Sequence, residues 1–192
     1  MEPILLEIPK AWSNDELFDF CIANRNLSIE RNHEGQIVIM SPAGGRSSNL
    51  SLKFATAIEI WNQQNDQSGI AFDSSVGFLL PNGAMRSPDA AWLNRAVWDE
   101  LSPMQKEKFL PFAPDFVVEV RSPSDRLSHL QAKMQEWIDN GCQLAWLIDP
   151  SEEKVHIYRP DKEPLVQEGF SQILLGEDVL PGFQFDLSLL HD

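Results

Sequence analysis

Within the apolar run "DFVVEV", residues 115–120, stands one carboxylate, Glu119, and Arg121 follows two positions on. Read as a strand, the run places Val117, Glu119 and Arg121 on one face and Phe116, Val118 and Val120 on the other. A buried, unpaired carboxylate is costly and takes up a proton instead, so Glu119 needs a cation, a donor or water. Arg121 is one partner for it. A second acid, Asp89, follows Pro88 in "SPDAAWL", at the start of another strand pattern. Neighbouring strands would bring Asp89 and Glu119 together, and two close carboxylates repel unless a cation lies between them. Mg²⁺ suits such a pair: it takes oxygen ligands and commonly uses one or two carboxylates with waters and substrate phosphate. The backbone carbonyl of Val120 is a further oxygen within the same strand. An ion held there would lower the pKa of a bound water and offset negative charge building on a phosphate.

A protein cation beside the acids would complete the set. Arg121 is on the right face, and Lys133 lies beside Leu130, Met134 and Trp137 at the margin of a helical apolar stripe. Taken alone, such a lysine is more often solvated, with its stem covering apolar surface. For Arg121 the plain alternative is an ion pair with Glu119. Glu59, on an earlier helix, reads as a surface acid, with a place facing the metal as the alternative. His33, His129, His156 and His191 show no metal-ligand spacing and no nucleophile partner. "AGGRSSN" lacks the G-x-x-x-x-G-K pattern of a phosphate-cradling loop.

Several elements must position these groups. Ser13 and Glu16 have capping-box spacing before a short N-terminal helix. "GQIVIMSP" reads as a strand and "AGGRSSN" as a turn or loop, followed by an amphipathic helix from Ser48 to Asn65 with Leu50, Phe54, Ala57, Ile58 and Trp61 on its stripe. "IAFDSSVGFLLPNG" and "RSPDAAWL" read as two strands of a hairpin turning at Pro-Asn-Gly. Residues 95–113 form a connection with short helical pieces, and "DFVVEV" is the third strand. The next helix has Ser122 or Ser124 as its expected N-cap and Gly141 just past its end. Two more strands, "QLAWLIDP" and "KVHIYRP", flank "DPSEE", a turn whose acids are expected to stay in water; "SQILL" and "FQFDLSLL" read as short edge elements. The order gives an α/β architecture: a mixed β-sheet flanked by helices, with an α-β-β-β-α-β core and extra strands.

The 192 residues fit a single domain over 1–192, with its core at about 36–160. Fifteen basic against 29 acidic residues give a formal charge of −14, which counts against strong non-specific binding of polyanions. Nine acids against three bases fall between Pro150 and Asp192, so a groove elsewhere can still be neutral or basic. Cys21 and Cys142 are far apart and fit free thiols in a reducing compartment. The N-terminal "MEPILLEIPKAW" has acids where a signal peptide needs bases, and no stretch approaches the ~20 apolar residues of a membrane span. A cytoplasmic protein with no membrane association is the expectation.

The segments "FDSSVGFLLPNGAMRSPDAAWL" and "PDFVVEVRSPSDRLSHLQAKMQEWIDNGCQLAWLIDP" resemble the Uma-two family of the PD-(D/E)xK restriction-endonuclease-like superfamily, over about residues 10 to 185. The resemblance implies a restriction-endonuclease-like fold, Mg²⁺ or Mn²⁺ held by Asp89, Glu119 and Val120, and hydrolysis of DNA phosphodiester bonds, commonly by a homodimer. It also implies that Lys133, on the helix after the E-x-K strand, takes the place of the motif lysine, whose slot holds Arg121. Two departures stand out: Trp137 where the family usually has tyrosine, and a short, less acidic "GGRSSN". Two other readings remain beside a metal-dependent endonuclease with Asp89, Glu119, Lys133 and Arg121 as its catalytic residues. One is a non-catalytic binding or assembly module that has kept the fold, which the charge of −14 favours. The other is a hydrolase of smaller phosphate esters.

Overall fold

The computed structural model describes residues 3–8 and 11–191, so Met1, Glu2, Pro9 and Lys10 of the N-terminal "MEPILLEIPKAW" lie outside the described residues. In chain order the elements are β1 (Ile4–Leu6), α1 (Asn14–Ala23), β2 (Ser28–Arg31), β3 (Ile37–Met40), α2 (Gly45–Gln64), β4 (Gly69–Asp73), β5 (Phe78–Leu79), β6 (Met85–Arg86) and β7 (Ala90–Asn94). There follow α3 (Arg95–Glu100), α4 (Pro103–Lys106), β8 (Phe116–Val120), α5 (Leu127–Asp139), β9 (Leu144–Asp149), β10 (Lys154–Arg159), β11 (Lys162–Glu168), β12 (Ile173–Leu175) and β13 (Gln184–Asp186), then a 3-10 turn at Leu187–Leu190.

The larger sheet has the order β11-β10-β9-β8-β7-β4; β8 and β9 run parallel and the other pairs antiparallel. The expected α-β-β-β-α-β core is α2, β4, β7, β8, α5 and β9. Strand alternation divides the sheet's side chains between two apolar layers. Phe116, Val118 and Val120 join Trp92, Trp146 and Ile148 against Leu50, Phe54, Ile58 and Trp61 of α2. The C-terminal segment closes this layer, with Phe185 stacked on Phe54 at 4.1 Å between ring centroids. On the opposite face Val117, Ala145 and Leu147 pack on Met134, Trp137 and Ile138 of α5. Glu119 belongs to this second face by its register, so it points at α5.

A five-stranded sheet, β1-β3-β2-β6-β5, packs against α1 around Leu17, Ile29, Ile37 and Met85. Its β5 and β6 are an excursion of the chain between β4 and β7. The expected hairpin is therefore split: "GIAFD" pairs with "AAWLN" in the larger sheet, and Phe78–Leu79 pairs with Met85–Arg86 in the smaller one. Asp89 stands at the point where the returning chain crosses from one sheet to the other.

Other expectations need correction at element ends. Helix α2 begins at Gly45, not Ser48, and takes in most of the expected loop, with Gly44 extended as its N-cap. Helix α5 begins at Leu127 behind Arg126, not at Ser122 or Ser124. Asp125 closes "SPSD" into a turn instead: its side chain accepts from the Ser122 N–H at 2.8 Å and its own N–H donates to the Ser122 carbonyl at 3.0 Å. Gly141 follows the helix with φ +114°, the left-handed conformation in which glycine escapes the Cβ clash. The capping box of Ser13 and Glu16 forms as expected. The segments "SQILL" and "FQFDLSLL" pair with each other in a separate two-stranded sheet. No helix among the described residues is long and apolar enough to cross a membrane.

Candidate active site

Glu119 ends up 5% exposed, near the carboxyl end of β8. Its Oε1 accepts from the indole N–H of Trp137 at 3.1 Å and lies 2.8 Å from Lys133 Nζ. Helical spacing explains both contacts: Lys133 and Trp137 are four residues apart on α5, hence on one face. Lys133 is thus turned inward, the less common of the two arrangements open to it. Trp137 gives the buried carboxylate a neutral donor beside the charged one.

Asp89, partly buried just before β7, reaches the same end of the sheet. Its Oδ1 accepts from Ser51 Oγ of α2 at 3.0 Å and its Oδ2 from the Val120 N–H at 2.7 Å. The Asp89 carboxylate is therefore fastened to the peptide that follows Glu119. Val120 itself is buried in the α2 layer, so its N–H meets Asp89 while its side chain points away from α5.

The third carboxylate at the site is Glu30, not the Glu59 weighed from sequence. Glu30 of β2 is 2% exposed; its Oε1 accepts from Lys133 Nζ at 2.9 Å and from the Ser87 N–H at 3.0 Å, and its Oε2 pairs with Arg86 at 2.9 Å. Arg86 continues to Glu136 of α5 through Nε at 2.6 Å, and the Asn82 amide donates to the same carboxylate at 2.8 Å. Glu59, the third acid considered from sequence, is elsewhere: it accepts from Gln63 on its own helix and borders the surface hollow beside β4.

Arg121 is not the partner of Glu119. Its Nη1 lies 2.6 Å from Asp149 Oδ2 and its Nε donates to the Asp125 carbonyl at 3.2 Å. Asp149, expected in water with the other acids of "DPSEE", is fully buried, while Glu152 and Glu153 are exposed. Besides holding Arg121 it accepts from the Ser151 and Glu152 N–H groups at 3.1 and 3.3 Å, closing the turn after β9.

The charge states follow from these contacts. Burial raises the pKa of Glu119 to about 7: Lys133 opposes the shift, while the charges of Asp89 and Glu30 add to it. Burial also raises Asp89, against the Val120 N–H, Lys133 and Ser51. Glu30 moves the other way; burial would raise it, but Lys133 and Arg86 together bring it below the ordinary value. Lys133 is raised as well, because Glu119 and Glu30 outweigh the cost of burying the ammonium. The cations compensate Glu30, and the uncompensated negative charge falls on Glu119 and Asp89. That excess fits a divalent cation. Among the described residues no group of three or more His, Cys, Asp or Glu side chains is arranged to hold a metal. A two-carboxylate site completed by waters, a carbonyl and substrate oxygens is the arrangement Mg²⁺ accepts.

The chain matches the family Uma2, described as "Putative restriction endonuclease", over residues 15–188. It belongs to this family. A solved structure, a "putative nuclease belonging to DUF820" from Anabaena variabilis, is similar with a TM-score of 0.72 at 20% identity, covering 85% of this chain and 89% of that one. At that identity the likeness shows the shared fold. No curated protein matches the chain. As a member of the Uma2 family the chain has the restriction-endonuclease-like architecture, and its acids and Lys133 lie where an open α/β sheet presents ligand-binding groups, at the carboxyl ends of its parallel strands.

Proposed function

We propose that this chain is a divalent-metal-dependent endonuclease that hydrolyses DNA phosphodiester bonds on a single restriction-endonuclease-like domain. The observation that carries the reading is Lys133 Nζ, 2.8 Å from a buried Glu119 whose neighbouring peptide is bonded to Asp89. Asp89, Glu119 and the Val120 carbonyl would hold Mg²⁺ or Mn²⁺, which supplies Lewis acidity at phosphate and lowers the pKa of bound water. The chain's own groups do the rest. Ser51 and the Val120 N–H fix the Asp89 carboxylate, and Trp137 fixes Glu119. The Lys133 ammonium donates to a non-bridging phosphate oxygen as negative charge develops there. We assign the catalytic cation to Lys133 and a supporting part to Arg121, whose Nη1 and Nε are engaged at the β8–β9 end. Two strands require two cuts, which favours a homodimer. The two free cysteines suit a reducing compartment such as the cytoplasm.

The test is cleavage of plasmid and oligonucleotide DNA with Mg²⁺ or Mn²⁺. The wild type should cut and Asp89→Ala should not; indistinguishable products from the two contradict the reading. The net charge of −14 favours the second reading, a non-catalytic module. Calorimetric titration with Mg²⁺ separates the two, since binding that Glu119→Ala abolishes argues against a purely structural module.

A further inference from the structure

Glu30 belongs to the smaller sheet, yet it is built into the site on the larger one. It collects three donors: Lys133 Nζ and the Ser87 N–H on Oε1, and Arg86 Nη1 on Oε2. Arg86 in turn holds Glu136, which stands one helical turn after Lys133 on α5. Strand β2, the β6 end and α5 are thereby closed into one ring of charge-assisted hydrogen bonds, the stronger kind.

The ammonium of Lys133 has three N–H groups. Its three acceptors are Glu30 Oε1 at 2.9 Å, the Ser87 carbonyl at 3.3 Å and Glu119 Oε1 at 2.8 Å. All three are committed, so the ammonium reaches a phosphate oxygen only by giving one up. Glu30 and Ser87 are bonded to each other and form one rigid cradle, whereas Glu119 stands on the other sheet. Glu30, Arg86 and Glu136 carry one net negative charge between them, which Lys133 offsets from its contact with Glu30. The lysine therefore stays paired when its contact with Glu119 is exchanged.

We infer that Glu30 is a positioning residue: it keeps Lys133 at the acid pair while the ammonium trades Glu119 for a phosphate oxygen of the substrate. The inference rests on the nuclease reading and deepens it, making the N-terminal sheet a working part of the site.

The test is steady-state cleavage of supercoiled plasmid in Mg²⁺, with kcat referred to the folded fraction read by circular dichroism. Glu30→Gln keeps the shape and an acceptor oxygen but removes the charge. Its kcat should fall by roughly 100-fold, the scale of an ångström-sized misplacement, with KM for DNA unchanged. Glu30→Asp restores the charge on a shorter arm and should recover about tenfold of that loss; it alone decides the matter if Glu30→Gln does not fold. In a Lys133→Met background Glu30→Gln should cause no further loss, because residues acting through one group are not additive. Wild-type kcat in a folded Glu30→Gln protein, or a loss that adds to that of Lys133→Met, overturns the inference while the nuclease reading stands. A wild type that cuts no DNA overturns the nuclease reading and the inference with it.

Discussion

Two cations face buried carboxylates at the same end of the sheet, and they differ in what surrounds them. Arg121 meets Asp149 in a nearly closed set: the carboxylate also caps two N–H groups, and the guanidinium also bonds the Asp125 carbonyl. Lys133 sits between two carboxylates, with a third, Asp89, near enough to act on its charge and on Glu119. One arrangement balances charge locally and fastens a turn. The other leaves a surplus of negative charge on two acids and one ammonium with an exchangeable partner, the starting condition for binding a metal and a phosphate. Arg121 is thus engaged with the turns around it, while Lys133 bridges the acids of both sheets.

The sharpest break in the comparison comes from removing each cation. Lys133→Met should lower cleavage at least 100-fold and, by leaving Glu30 and Glu119 with less compensation, destabilise the fold by about 3–5 kcal/mol in denaturant titration. Arg121→Met should destabilise by roughly half of that, since the N–H groups capping Asp149 remain, and should lower cleavage per folded molecule by under about tenfold. A reversed ranking in activity would move the catalytic role to Arg121.

The second difference lies between two acids that share one lysine. Glu119→Gln should abolish Mg²⁺-dependent cleavage while leaving the metal-free protein as stable as wild type or more so at pH 8. The sign follows from linkage. The folded-state pKa of Glu119, about 7 against an ordinary 4.5, means the folded protein holds extra proton between those values. Its contribution to stability is full below about pH 4.5 and is lost as pH rises through about 7. Glu30, lowered in the folded state, contributes stability that is present above its ordinary value and lost as pH falls. Thermal melts in EDTA from pH 5 to 8 should show wild type losing stability relative to Glu119→Gln, and parallel curves would contradict the assignment. The smallest effect on cleavage is expected from Trp137→Phe, a several-fold loss. Losing the indole N–H to Glu119 and leaving a cavity at a fully buried position should together cost about 2 kcal/mol of stability by urea titration.

The same contrasts separate what the sequence encodes locally from what only long-range packing creates. Strand alternation makes Glu119 legible, an acid within an apolar run that must meet a partner, whereas Lys133 beside the α5 stripe reads alone as solvated and comes forward only through the family resemblance. Glu30 gave no such signal. Its strand is four residues long, "SIER" looks polar and ordinary, and the contact spans 103 positions along the chain. Asp149 misled for a related reason: neighbouring acids in "DPSEE" suggest solvent, yet the first of them is drawn inside by Arg121 and the turn's own N–H groups. The early start of α2 was hidden by Gly44 and Gly45, which read as loop but begin a helix without strain when their φ is negative, as at Gly44 (φ −69°). The division of the expected hairpin between two sheets depends on long-range pairing that local turn chemistry does not encode.

Whether Lys133 is the catalytic cation is decided by plasmid nicking with purified wild type, Lys133→Met and Arg121→Met side by side, in Mg²⁺ and in EDTA. Wild type should nick in Mg²⁺ alone, Lys133→Met should nearly lose nicking and Arg121→Met should keep it. Equal nicking by wild type and Lys133→Met, or nicking undiminished by EDTA, would contradict a metal-dependent reaction with Lys133 as its cation.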